Sequence, residues 1–372
     1  MSMTYIIAGS PATIRQLKGQ LASWFTITHL GPVKKYLGVR IDYKPGEHLR
    51  LDQAEYTEEI LLRHKEHWKP VFGGRLKKTP LPSEAQIMLL EEKADLNSKE
   101  EAWFQNFPYR SVIGCLLYLC LNTRPDIAFA VGFLARASSK PTYGACYCAA
   151  WLMSYLKRTY KMGIEYRLPN LVDWHAWVDA DWGGDLARRR STSGFMVFLC
   201  GGPVAWGSKL MQTIATSTMQ AEFQSYYYCI TTLLYMKHLF EEIGIEYQKK
   251  VTVFTDAEAA MKAAHNPGVT QLTKHYALKY WWTKLFVGEG AQAFIEMMHV
   301  PTLMMVVDNL TKVASELSMR IHTEHMMGYL GRTTYMVRAA IQKGGWARGP
   351  NGGNLSIYES DCFPSSSEED SD

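Results

Sequence analysis

Four acidic residues, Asp179, Glu222, Asp256 and Asp308, stand where the pattern of their neighbours calls for apolar side chains. In HAWVDADW, Trp177, Asp179 and Asp181 share one face of a period-two strand, and Ala176, Val178 and Ala180 share the other. Glu222 opens a helical stripe that continues through Tyr226, Cys229, Leu233, Met236 and Phe240, in a helix expected from about Thr218. A carboxylate on such a stripe costs several kcal/mol of desolvation unless something pairs with it. Asp256 closes the run VTVFTD just as the helical pattern AEAAMKAA begins, and Asp308 lies inside the apolar run MMVVDNLTKVA. Oxygen ligands from several carboxylates, with no His/Cys framework beside them, suit hard cations such as magnesium or manganese. Such a set fits two-metal phosphodiester chemistry.

Each acid also has a plainer reading. Asp256 can cap the helix that follows it, Asp179 can end a strand, and Asp308 can sit on a solvated helical face. The set favours function, because a strand, a helix, a strand end and a late helix can converge on one point. From Trp174 onward the pattern reads strand, strand, strand, helix, strand, helix, helix, strand, helix. Three strands joined by short turns make an antiparallel meander, and the later strands, crossed by helices, add in parallel. The expected class is α/β (α+β), a mixed five-stranded sheet with packed helices. Asp179 on the first strand and Asp256 at the end of the fourth would then be neighbours.

The stretch VDADWGGDLARRRSTSGFMVFLCGGPVAWGSK resembles the ribonuclease H domain of copia-type LTR retrotransposon polyproteins. So do ATSTMQAEF, VFTDAEAAMKAAHNP, TKHYALKYWW and VDNLTK, which follow in that family's order. The resemblance carries the family's metal-binding acids onto Asp179, Glu222, Asp256 and Asp308. It implies two magnesium (or manganese) ions and hydrolysis of the RNA strand of an RNA–DNA hybrid. The sequence departs from the family at Gln220, where a second glutamate is common, at Ala277 for an aspartate and at Trp281 for a histidine. Arg188, Arg189 and Arg190 in the loop before the second strand are candidates for phosphate contact, against a plainer reading as a solvated turn. Lys274 and His275 at a helix start are weaker candidates, and Asp181 and Asp185 are close enough in sequence to approach the metals.

Upstream, Ile14, Leu17, Leu21, Trp24 and Phe25 mark an amphipathic helix, and YLGVRIDY and HLRLDQ flank a Lys44–Glu47 turn as a β-hairpin. A helix is expected from Ala54 to Lys65. WFTITHLGPVKKYLGVRIDY resembles the end of the palm of the same family's reverse transcriptase, with His29 where an aspartate is usual. The family's polymerase motif would fall on Met1-Ser2-Met3-Thr4, which holds neither aspartate, so no polymerase activity is expected, and the chain reads as a truncated product or a remnant. Pro70–Ser98 reads as a linker, with Lys77-Lys78 solvated or touching a phosphate. YRSVIGCLLYLC, TRPDIAFAVGFLARA and a third run to Tyr160 read as helices resembling the connection between polymerase and ribonuclease H, the second begun by Thr123, Pro125 and Asp126. The expected divisions are residues 1–98, a reverse-transcriptase palm/thumb remnant and linker; 99–170, the helical connection; 171–315, the ribonuclease H-like domain; and 316–372, a helix over His322–Gln342 and a disordered acidic tail.

Composition narrows the alternatives. The chain has 372 residues, 47% of them hydrophobic, enough for sizeable cores, and its net charge of +4 is too mild to argue for nucleic acid by itself. The seven cysteines are scattered without a CxxC pair, and Cys146 and Cys148 are a poor zinc spacing. With no secretory signal and no apolar run long enough to span a bilayer, an intracellular protein of cytoplasm or nucleus is expected. The rival reading is a catalytically silent retrotransposon remnant that at most binds nucleic acid. A cellular ribonuclease H is disfavoured by the connection motif at Tyr109–Ala137.

Overall fold

The computed structural model describes residues 4–91, 93, 95–167, 174–265 and 277–330. Helix α1 (Pro11–Trp24) starts where the Ser10 hydroxyl accepts the Thr13 amide at 3.1 Å and a proline occupies the first turn. After the short β1 (Lys35–Tyr36), β2 (Val39–Lys44) and β3 (His48–Asp52) form the expected hairpin, Lys44 opposite His48, with Gly46 at φ 80° in its turn. The helix expected over 54–65 is two helices, α2 (Ala54–Arg63) and α3 (Lys65–Phe72), broken at His64. Trp68 and Phe72 carry the buried stripe past Lys65, where the pattern suggested an end.

The segment expected as a linker is anchored. It holds α4 (Ala85–Leu90), and Leu81 and Ala85 are buried. Half-buried Lys77 has its ammonium over the rings of Phe72 and Trp151, at 4.5 and 4.0 Å, and exposed Lys78 pairs with Glu316 at 2.7 Å. Helix α5 (Ser98–Gln105) follows, begun by a capping box of Asn97 and Glu100 that the sequence reading passed over.

The three helices expected next are α6 (Tyr109–Asn122), α7 (Ala128–Ala135) and α8 (Tyr143–Thr159). Thr123 and Asp126 do not cap α7. Thr123 donates to Gln53 Oε1 at 2.8 Å, and Asp126 accepts two bonds from the buried Arg124 guanidinium, at 2.8 and 2.7 Å, in a 3-10 turn ahead of the helix. Buried in α8, the thiols of Cys146 and Cys148 are pushed up to about 12, as structural cysteines are. Strand β4 (Gly163–Arg167) then pairs with β3 and completes a four-stranded sheet in the order β1-β2-β3-β4.

The second sheet is built from β5 (Trp174–Asp181), β6 (Thr192–Leu199), β7 (Gly202–Leu210), β8 (Val251–Thr255) and β9 (Ile295–His299). Between them lie α9 (Thr218–Ile243), α10 (Glu258–His265) and α11 (Ala277–Lys284). Its order, β7-β6-β5-β8-β9, is the expected mixed five-stranded sheet: the first three strands are antiparallel, and β8 and β9 join in parallel. Ala176, Val178, Val197 and Val253 face α9, where Phe223, Tyr226, Cys229 and Leu233 meet them. Trp177, Met196, Phe198 and Phe254 belong to the other core, shared with α6–α8 and residues 300–326. The last described helix, α12, spans Glu316–Met326 rather than starting at His322; it begins where the Ser315 hydroxyl accepts the Ser318 amide at 3.1 Å. The acidic tail lies outside the described residues. No described helix is long and apolar enough to cross a membrane.

Candidate metal centre

The sheet register sets the first two acids. Strands β5 and β8 run parallel with Trp177 paired to Phe254, and those two rings stack on one face with centroids 4.5 Å apart. Two residues on, the same face carries Asp179 and Asp256. At the start of α10 the Ala257 amide is taken by the Thr255 hydroxyl at 3.2 Å, so the Asp256 carboxylate is left to face the other acids.

Glu222 comes from the second turn of α9. The helix is started by Ser217, whose hydroxyl accepts the Gln220 amide at 3.2 Å, while the Gln220 side chain reaches back to the Thr216 amide at 2.7 Å. Gln220, where a second glutamate is common, is thus occupied in the cap. Glu222 is buried with the rest of its stripe. Ligand-capable oxygens of Asp179, Glu222 and Asp256 all lie within 4.8 Å of one another.

Asp308 approaches from a 3-10 turn, Val306–Leu310, and not from the helix the sequence suggested. The turn is closed by i to i+3 bonds, with Asp308 N–H bonded to the Met305 carbonyl at 3.1 Å. The turn presses on β6 opposite Asp179, where Gly194 makes room: a Cβ there would lie 2.6 Å from Thr311 Cγ2 and 3.1 Å from the Val307 carbonyl. That approach lets the Thr311 hydroxyl donate to Asp179 Oδ2 at 2.9 Å, and Lys312 Nζ lies 2.9 Å from Asp308 Oδ2.

The electrostatics are those of acids crowded without enough positive charge. Burial, with Asp308 and Asp256 adding repulsion, pushes the Asp179 carboxyl up to about 7, against the opposing pull of Thr311 and Lys312. Burial, then Asp179 and Asp256, raises Glu222 well above the carboxylate range, although the Ala180 amide bonds to it. Burial also raises Asp308, opposed by Lys312. Glu222 Oε2 is buried without a hydrogen-bond partner among the described residues. An all-oxygen donor set with an unsatisfied buried oxygen fits a hard divalent cation.

The other candidates are placed differently. Asp181, raised by its burial, stays at the edge of the centre within the field of Lys312 and Asp308. Asp185 turns away and pairs with Arg136 at 2.7 Å, and Arg188 leans on it at 3.7 Å. Arg189, at φ 51°, is exposed beside it, and Arg190 is half-buried with its carbonyl bonded to the Asp185 amide. Lys274 and His275 lie outside the described residues. Thr311, Lys312 and Gly194 escaped the sequence reading. The spacing of Thr311 and Lys312 three and four residues after Asp308 is the signal that could have found them.

No protein-family model matches the chain. It is 29% identical over 310 residues, 83% of its length, to the retrovirus-related Pol polyprotein from transposon TNT 1-94 of Nicotiana tabacum, of which it covers 22%. An uncharacterized mitochondrial protein of Arabidopsis thaliana is 30% identical over 221 residues, 59% of this chain and 85% of that protein. A secreted RxLR effector protein of Plasmopara viticola is 38% identical over 121 residues, 32% of this chain and 85% of that protein. The chain spans about a fifth of the length of the Pol polyproteins it matches.

Proposed function

We propose that the acidic centre is a retrotransposon ribonuclease H site, acting on the RNA strand of RNA–DNA hybrids, a reading supported by the chain's similarity to the retrovirus-related Pol polyproteins of plant transposons. On this reading residues 1–98 derive from the end of a copia-type reverse transcriptase, 99–170 from the connection and 171–315 from the ribonuclease H domain, with 316–372 as an appendage. The observation that carries it is the convergence of Asp179, Glu222 and Asp256, with one buried oxygen of Glu222 left without a partner.

Asp179, Glu222, Asp256 and Asp308 are the residues that would hold magnesium or manganese. Bound there, the cations would supply an activated water and stabilise the leaving oxygen of the phosphodiester. The protein's part is to aim the carboxylates, Asp179 by its bond from Thr311 and Glu222 by its bond from the Ala180 amide, bonds that oppose the effect of burial on each. Arg189 and Arg190, on the loop at the end of β5, would be the arginines to touch a phosphate, while Arg188 is partly held by Asp185.

The test uses labelled RNA in an RNA–DNA hybrid and in an RNA duplex, each with magnesium or manganese. Cleavage of the hybrid alone, lost in Asp179→Asn, is expected. A wild-type chain that binds the hybrid and never cuts it with either ion would leave the silent-remnant reading in its place.

A further inference from the structure

The centre contains a positive charge of its own. Lys312 Nζ sits 2.9 Å from Asp308 Oδ2, and its field reaches Asp179 and Asp181 as well. Burial alone would lower the lysine's proton affinity, yet the bond it donates to Asp308 and the charges of Asp308, Asp179 and Asp181 together raise it. The oxygens that close to within 4.8 Å of one another belong to Asp179, Glu222 and Asp256, and Asp308 is not among them. Its carboxylate is engaged by the Lys312 ammonium and also bonds the Asp179 side chain, at the border of that cluster.

We propose that Lys312 is the resident cation of this centre, neutralising Asp308 in the metal-free protein, so that a first divalent ion binds Asp179, Glu222 and Asp256, and a second binds only when the lysine leaves Asp308. The proposal rests on the metal-centre reading and assigns a role within it. The placement supports such exchange. The Asp308 side chain is 14% exposed and fixed in its turn, whereas that of Lys312 is 48% exposed, so the ammonium can swing into water on a flexible stem. Thr311, next to it in sequence, holds Asp179 at 2.9 Å and keeps the turn docked while the lysine moves. An ammonium offers three donors and no lone pair. It can hold the place of a metal ion but cannot position a water for attack.

The full chain is titrated with manganese, reading the free ion by electron paramagnetic resonance, in the wild type, Lys312→Gln and Lys312→Arg. The wild type should bind one ion tightly and a second about fivefold more weakly, the factor supported by one partly exposed ion pair. Lys312→Gln should tighten the second ion by about fivefold and leave the first within about twofold, and Lys312→Arg should keep the second ion weak. Without metal, Lys312→Gln should melt below the wild type, and saturating manganese should raise its melting temperature by more. In the wild type itself, the Lys312 ε-methylene resonance, identified by its loss in Lys312→Arg, should move with the second magnesium ion and not with the first. An unchanged second-ion affinity in Lys312→Gln, or a Lys312 resonance that tracks the first ion, overturns the proposal. Manganese binding in this pattern without any cutting of hybrid would sustain it and remove only the nuclease reading. No manganese binding in any form removes both.

Discussion

In the metal-free protein one Glu222 oxygen takes the Ala180 amide and the other has no described partner, while Asp179 and Asp256 repel the charge they share a space with. Glu222→Gln keeps the shape and a polar tip while removing that charge. Cleavage and the rise in melting temperature with magnesium should both be largely lost, and the metal-free protein should be as stable as the wild type or slightly more so. An ordinary helix residue would leave cutting and the magnesium response unchanged.

Asp179 gives the matching pH dependence. Its carboxyl titrates near 7 in the metal-free fold, above the value of about 4 in an unfolded chain, so the folded state holds the proton more tightly. Its contribution to stability is complete below about pH 4 and is lost as the pH rises through about 7. Thermal melts across that window in chelator should fall more steeply for the wild type than for Asp179→Asn, and magnesium should flatten the wild-type curve at its upper end. The acids could be read in the sequence because each broke an apolar pattern. Thr311, Lys312 and Gly194 break none. Lys312 is marked only by its spacing from Asp308, whereas the contacts of Thr311 with Asp179 and of Gly194 with Thr311 arise from a register across more than a hundred residues, which local pattern does not carry.

At the level of elements, the strands of the second sheet were legible because alternation and short turns mark them, and α9 was legible from one long stripe. The turn that delivers Asp308 was not, since an apolar run of that length suits a helix as well as a 3-10 turn. What selects the turn is the surface it lies on, β6 at Gly194. Gly194→Ala should force Thr311 or the Val307 carbonyl outward, costing about 1–3 kcal/mol by overpacking. Because the same shift loosens the bond from Thr311 to Asp179, manganese affinity should fall along with the urea midpoint. A loss of stability with metal binding intact would separate the turn's packing from its role at the centre.

Across the whole molecule, the expected divisions meet a continuous core. The helices α6–α8 and residues 300–326 pack on the face of the second sheet that carries Trp177, Met196, Phe198 and Phe254. The two sheets also touch at their ends, where the Arg167 amide bonds the Cys200 carbonyl at 3.0 Å, and β4 is tied to the end of α12, where the Glu165 amide bonds the Met327 carbonyl at 2.9 Å. A sequence reading finds strands and stripes, but not which surface covers which, because apolar residues on a sheet face look the same whatever lies on them. This bears on where the catalytic unit ends. In α12 the His325 ring stacks on Phe198 at 4.7 Å and meets Trp177 edge-on at 5.8 Å, while Met319, Ile321 and Met326 are buried beside them. A fragment of residues 171–315 leaves that face bare; one of 171–330 keeps it covered. Three buried apolar side chains, each worth about 1.5–3 kcal/mol before the ordering of the helix is subtracted, leave a net few kcal/mol. The longer fragment should therefore melt cooperatively and on the order of 10 °C above the shorter one. It should still melt below the full chain, whose α6–α8 complete the cover. Equal melting temperatures for the two fragments would mean that α12 contributes nothing to the sheet and that the unit closes at 315.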